Sequence, residues 1–138
     1  MAQSYVDSHK MADKGATYDK HYEQDPWRRF LWHREQLVLM DMLKTFFRNR
    51  DINLLDFACG TGRIAGFLEN CVTHSTGVDV SESMLTEARQ KLNRTKLICA
   101  DITQDNVLKD KKFNLITAFR FFLNAEPALR EKAFNTLI

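Results

Sequence analysis

Beyond residue 50 the chain alternates short apolar runs with segments of helical character. The runs are INLLDF (52–57), STGVDV (75–80), TKLICAD (95–101) and FNLITAF (113–119). Helix-like stretches at 63–70 and 81–92 and a polar connection at 102–112 lie between them. Strands that are apolar on both sides and separated by helices predict a parallel sheet covered on both faces. The expected fold class is therefore α/β, a doubly wound and mostly parallel sheet with right-handed crossovers. At 138 residues there is room for one domain with a real core and little more.

The N-terminal part follows another pattern. Residues 1–25 are polar and carry Tyr5, Tyr18 and Tyr22 without a sustained period, which reads as partly helical and mobile unless something docks on it. Asp25 and Pro26 mark a helix start, as N-cap and first helical residue. From Trp27 to Phe47 the residues Phe30, Leu31, Leu37, Met40 and Leu43 recur at helical spacing, and Trp27, Phe30 and Trp32 are expected mainly in core or lid packing. A last helix should open near Pro127. The formal net charge of +2 is too small to argue for a nucleic-acid partner. No apolar run approaches the roughly 20 residues of a membrane span, and no signal peptide opens the chain. Cys59, Cys71 and Cys99 lack metal or disulfide spacing, so each is expected as a small buried residue in a reducing cytoplasm.

In a doubly wound sheet, ligands sit beyond the carboxyl ends of the strands. The positions to watch are therefore 56–62, Asp79 and Val80, Asp101 and Ile102, and Phe119 and Arg120. In LLDFACGTGR (54–63) the chain must reverse into a helix, and Gly60 and Gly62 supply backbone freedom or room for a ligand. The helix behind the turn aims free N–H groups at a negative group, phosphate or carboxylate. GTGRIA also satisfies the loose dinucleotide pattern, so the turn alone leaves a nicotinamide cofactor open. Asp79 stands 17 residues after Gly62, close to the distance at which an acid accepts from ribose hydroxyls. Its bland role would be helix capping, for which Ser81 is already placed. Asp101 can accept from an exocyclic amino group, with Val80 and Ile102 against a ring, or can be a plain loop acid.

LLDFACGTGR, GVDVSESMLTEAR, ICADIT and FNLITAFRF resemble the successive motifs of class I S-adenosylmethionine-dependent methyltransferases, over about 52–124. The resemblance implies a Rossmann-like core at 51–138 under an N-terminal helical lid at 1–50, with the usual C-terminal strands absent. It implies that Asp56, Ala58, Gly60 and Gly62 wrap the methionine part of the cofactor S-adenosyl-L-methionine. By the same likeness Asp79 holds the ribose, and Asp101 and Ile102 contact adenine. Val80, Met84 and Phe119 complete the expected cofactor contacts, and Tyr18 and Tyr22 close over them from the lid. Two residues depart from the pattern. Ala58 stands where a glycine is common, and Asn114 where an acid commonly follows Phe113.

Methyl transfer is an in-line displacement that needs positioning more than covalent chemistry. His21, His33 and His74 have no compelling partners, so no catalytic residue and no metal ligand is assigned. Arg120 can meet an acidic acceptor or a neighbouring carboxylate. The leading reading is a cytoplasmic methyltransferase, or its cofactor-binding portion, acting on a small-molecule acceptor. No nucleic-acid or membrane partner is expected. The rivals are a non-catalytic nucleoside-binding or assembly subunit, and a nicotinamide-dependent oxidoreductase domain. An unpaired edge at the fourth strand is expected, so either the chain is a fragment of a longer protein or a second copy or another chain covers that edge.

Overall fold

The structure is a computed structural model that describes residues 14–48 and 50–138. The expectation for 1–13, Tyr5 included, lies outside the described residues. Two helices open the described chain, α1 (Lys14–Gln24) and α2 (Pro26–Phe46). They are followed by β1 (Asn53–Phe57), α3 (Arg63–Leu68), β2 (His74–Asp79), α4 (Glu82–Lys91), β3 (Thr95–Cys99), β4 (Leu115–Thr117), α5 (Phe121–Asn124) and α6 (Pro127–Leu137).

The sheet is parallel throughout, in the order β3-β2-β1-β4. From β1 the chain steps outward to β3 and then crosses to the far side for β4. The carboxyl ends of β1 and β4 therefore flank the switch point where such sheets hold ligands. Successive residues of β1 feed opposite faces. Leu54 joins Leu39, Leu43, Ile64 and Leu68 in a core under α2 and α3. Leu55 and Phe57 join Val78, Phe121 and Ala133 on the other face, toward α5 and α6. Leu54 and Leu55 are fully buried, each contributing about 1.5–3 kcal/mol.

Local chemistry sets the element ends. Asp25 accepts from the N–H groups of Trp27 (2.9 Å) and Arg28 (3.4 Å), with Pro26 at the first helical position. Ser81 caps α4 by accepting from the Met84 N–H. Buried Glu69, at the end of α3, accepts from the N–H groups of Asn93, Arg94 and Thr95 and from the Thr95 hydroxyl. One carboxylate thereby fixes the whole approach to β3.

Several expectations are corrected. Both-face coverage holds for β1 and β2, but β3 is only partly buried and Ile116 of β4 is exposed, since each outer strand lacks a neighbour on one side. β4 is shorter than its apolar run, covering Leu115–Thr117, although Asn114 just before it still donates its N–H to the Asn53 carbonyl (3.1 Å). The Asn114 side chain accepts from Asn53 N–H (2.8 Å) and donates to the Asp51 carbonyl (2.7 Å). Trp27 and Phe30 are exposed and stack on each other rather than entering the core, while Trp32 packs edge-on against Phe67. Only Cys59 is buried; Cys71 and Cys99 are exposed, and all three are free thiols. The single turn α5 has no sequence signal, being four residues launched from Arg120 in a left-handed conformation. Among the described residues no helix is long and apolar enough to cross a membrane.

Candidate functional site

The turn after β1 is built from alternating left-handed residues: φ is +54° at Ala58, +55° at Gly60 and +79° at Gly62. The two glycines serve different ends. A β-carbon on Gly60 would meet nothing within 4 Å, so its backbone faces open cleft. A β-carbon on Gly62 would stand 2.7 Å from Leu92 Cδ1, so this glycine lets α3 and the end of α4 approach. Ala58 occupies a backbone conformation that a β-carbon strains by about 1–2 kcal/mol.

Two carboxylates brace this turn. Asp79 accepts from Gly60 N–H through Oδ2 (2.8 Å) and from Ser81 N–H through Oδ1 (2.9 Å). Each oxygen of Asp79 thus holds one backbone amide of the rim, one in the turn after β1 and one at the start of α4. Asp56 is fully buried; it accepts from the Thr117 hydroxyl (2.7 Å) and from the Ala65 N–H (3.1 Å) near the start of α3. Burial pushes its carboxyl up to about 7, against the downward pull of Thr117, Ala65 and the Arg63 charge.

Two hollows meet along the sheet rim and share Ala58 and Asp79, making one groove. Over β2 and β3 it is an apolar slit of about 30 Å³ lined by Val80, Ile102, Phe121 and Leu129. Over β1 and β4 it widens to about 240 Å³, bounded by Tyr18, Gly60, Thr61, Met84 and Phe119. Asp56 and Asp101 also line it. Asp101 is engaged locally, accepting from the Thr103 N–H and hydroxyl and from the Gln104 amide. Two anticipated residues, Gly62 and Tyr22, lie outside the groove lining.

Three arginines of the wide end had no combined signature in the sequence. Arg28, Arg63 and Arg120 all line it, and their guanidinium carbons stand 5.3, 4.6 and 4.9 Å from the buried Tyr22 ring. Burial holds the Tyr22 phenol above its ordinary pKa although Arg63 and Arg120 pull it down. Glu35 of α2 pairs with Arg63 at 2.7 Å and reaches Arg120 at 3.6 Å. Helix α1 is moored beside the turn by Asp19, which accepts from the Thr61 hydroxyl (2.8 Å) and pairs with Lys91. Position supplied part of this signal, since Arg63 follows the glycine turn and Arg120 follows β4. Glu35, 28 residues before Arg63, could be linked to it only by folding. Among the described residues no His, Cys, Asp or Glu cluster has the form of a metal site.

A methyltransferase-domain profile matches residues 54–138, the stretch that forms this sheet and its rim. The chain belongs to the methyltransferase domain family. This methyltransferase-domain chain is 29% identical over 100 residues to the malonyl-[acyl-carrier protein] O-methyltransferase of Priestia megaterium, covering 67% of the present chain and 36% of that protein. It is 36% identical over 80 residues to a demethylmenaquinone methyltransferase of Leptospira interrogans, covering 54% and 31%. In fold it resembles the SAM-bound amino pentose methyltransferase CalS10 of Micromonospora echinaspora, with TM-score 0.69, 22% identity, and 88% and 50% coverage. DesVI of Streptomyces venezuelae also gives 0.69, at 24% identity, with 92% and 52% coverage. The chain thus spans about a third of these curated relatives and about half of these solved structures.

Proposed function

We propose that the chain binds S-adenosylmethionine along the rim groove and forms the cofactor-holding part of a methyltransferase for a small-molecule acceptor, with 1–50 as lid and 51–138 as core. The observation that carries the reading is one groove running past Asp79 and Gly60, apolar at the β3 end and cationic at the β4 end. The residues suit the cofactor. Asp79 lines both halves of the groove, and a carboxylate there is a two-oxygen acceptor matched to paired ribose hydroxyls. The empty β-carbon direction of Gly60 leaves room for close backbone approach. Arg28, beside Tyr18, gives the methionine carboxylate a cation. Val80 and Ile102 offer apolar contact to adenine, whose amino group replaces the Gln104 amide at Asp101. The slit must widen around the ring, and half-buried Leu129 is the side chain placed to yield.

When bound, S-adenosylmethionine supplies an electrophilic methyl group on a sulfonium. The chain's own contribution is alignment and exclusion of water, with Tyr18 and α1 forming the roof. Three free cysteines suit a reducing cytoplasm. Isothermal titration with S-adenosylhomocysteine, with NADH as the rival ligand, tests the proposal. Saturable heat with the first and none with the second is expected. Silence with S-adenosylhomocysteine, or preference for NADH, overturns it.

A further inference from the structure

The strand order dictates where a methyl acceptor must stand. Asp79 closes β2 and Ile102 follows β3 on one side of β1, and β4 lies on the other. A cofactor laid along the rim as proposed above turns its methyl group toward β4, so this inference rests on that reading. The side chain that opens the ground beyond β4 is Arg120.

Arg120 is set in an unusual way. Its φ of +67° is a conformation that residues with a β-carbon rarely hold, and strain of this kind collects at ligand-handling positions. Its Nε–H is buried and has no acceptor among the described residues. Its Nη2 reaches Glu35 at 3.6 Å, while Glu35 is already held by Arg63 at 2.7 Å. A second orphan belongs to the same cluster. The Tyr22 hydroxyl is buried without a partner among the described residues, and its ring lies 4.9 Å from the Arg120 guanidinium. Buried donors are almost always paired. Here two are unpaired where Glu35 faces the guanidiniums of both Arg63 and Arg120.

We propose that the methyl acceptor carries an anionic oxygen group, carboxylate or phosphate, which docks on Arg120 at the end of β4. Two oxygens on one centre match the guanidinium fork, which a neutral acceptor does not. Docking supplies the acceptor that Nε lacks and competes with Glu35 for Nη2. Arg120 thereby selects acceptors by charge and holds them in line, while Asp79 and Gly60 hold the cofactor.

The test uses the 138-residue chain saturated with S-adenosylhomocysteine, with the arginine Nε–H resonances followed by nuclear magnetic resonance. Malonate, inorganic phosphate and neutral malonamide are titrated separately. The Arg120 resonance should shift saturably with malonate or phosphate and not with malonamide, and the tighter anion identifies the chemical source. Arg120→Gln, kept saturated with S-adenosylhomocysteine, should weaken that anion at least tenfold. Arg120→Gly, which relaxes the left-handed backbone, should lose the anion equally, separating the guanidinium from any damage to the fold. Three results overturn the inference: no saturable shift, anion binding that S-adenosylhomocysteine abolishes, or unchanged anion affinity in Arg120→Gln. A chain that binds no S-adenosylhomocysteine overturns the functional reading as well. One that binds it without an anion response overturns this inference alone.

Discussion

Replacing Asp56 by asparagine should stabilise the protein in alkaline solution, and the size of the effect follows from the site. The carboxyl ordinarily titrates at 3.8 and is pushed to about 7 in the fold. Between those values the folded chain holds a proton that the unfolded chain has released, so stability falls as pH rises. The contribution of the protonated group is complete below 3.8 and lost once pH passes about 7. At about 1.36 kcal/mol per pH unit the whole loss is roughly 4 kcal/mol, and about 2 kcal/mol of it falls between pH 5.5 and 7. Asparagine keeps the shape without the charge. Its carbonyl can accept from Ala65 N–H and its amide can donate to Thr117 Oγ1, which now donates to Asp56. Urea unfolding of wild type and Asp56→Asn at pH 5.5 and 8.5 isolates this group from every other titration. The stability difference should move in favour of the variant by about 2 kcal/mol at the higher pH, or roughly 8 °C in Tm for a domain of this size. A difference that stays constant, or that favours aspartate as pH rises, refutes the assignment of a charge buried at a cost.

A ligand ammonium near Asp56 should lower its pKa, so S-adenosylhomocysteine binding at pH 7 should release protons. Titration calorimetry in buffers of different ionisation enthalpy would show this as a buffer-dependent heat. Asp79→Ala leaves the Gly60 and Ser81 amides without their carboxylate; a loss of about 1–3 kcal/mol per buried donor and at least tenfold weaker S-adenosylhomocysteine binding are expected by denaturation and calorimetry. Gly60→Ala should fold with a penalty of about 1–2 kcal/mol and bind S-adenosylhomocysteine at least tenfold more weakly. Gly62→Ala should instead lose about 1–3 kcal/mol to overpacking against Leu92, with affinity preserved in the folded fraction. Glu69→Gln should cost about 1–3 kcal/mol at neutral pH. Burial alone would raise the pKa of Glu69, but hydrogen bonds from Arg94, Asn93 and Thr95 bring it below the ordinary value of 4.5. Its charged contribution is therefore present above 4.5 and fades as pH falls through the lower folded value, so the difference between wild type and variant should shrink in acid.

Short-range rules made much of this molecule readable. Asp25 and Pro26, Ser81 and the acid closing each of the first three runs announce their places because a cap or a strand end is settled within a few residues. Long-range geometry hid the rest. Gly60 and Gly62 look alike in the chain, and only the docking of Leu92 decides that one faces the cleft and the other a helix. Trp27 and Phe30 share the helical period of Leu43, but a period marks a face and not whether anything covers it. Asp101 has the position of a ligand acid, yet Thr103 and Gln104 compete for it within the same turn. The pairing of Arg63 with Glu35 brings together elements with no local reason to meet.

Helix α1 contains no Val, Leu, Ile, Met or Phe. The Asp19 contacts with Thr61 and Lys91 moor it, as does the ring of Tyr22 among guanidiniums. A seam stitched by charge loosens as the Debye length shrinks, whereas greasy packing hardly notices. Ionic strength should therefore act as a throttle on how often the groove is uncovered, leaving the four strands beneath indifferent to the change.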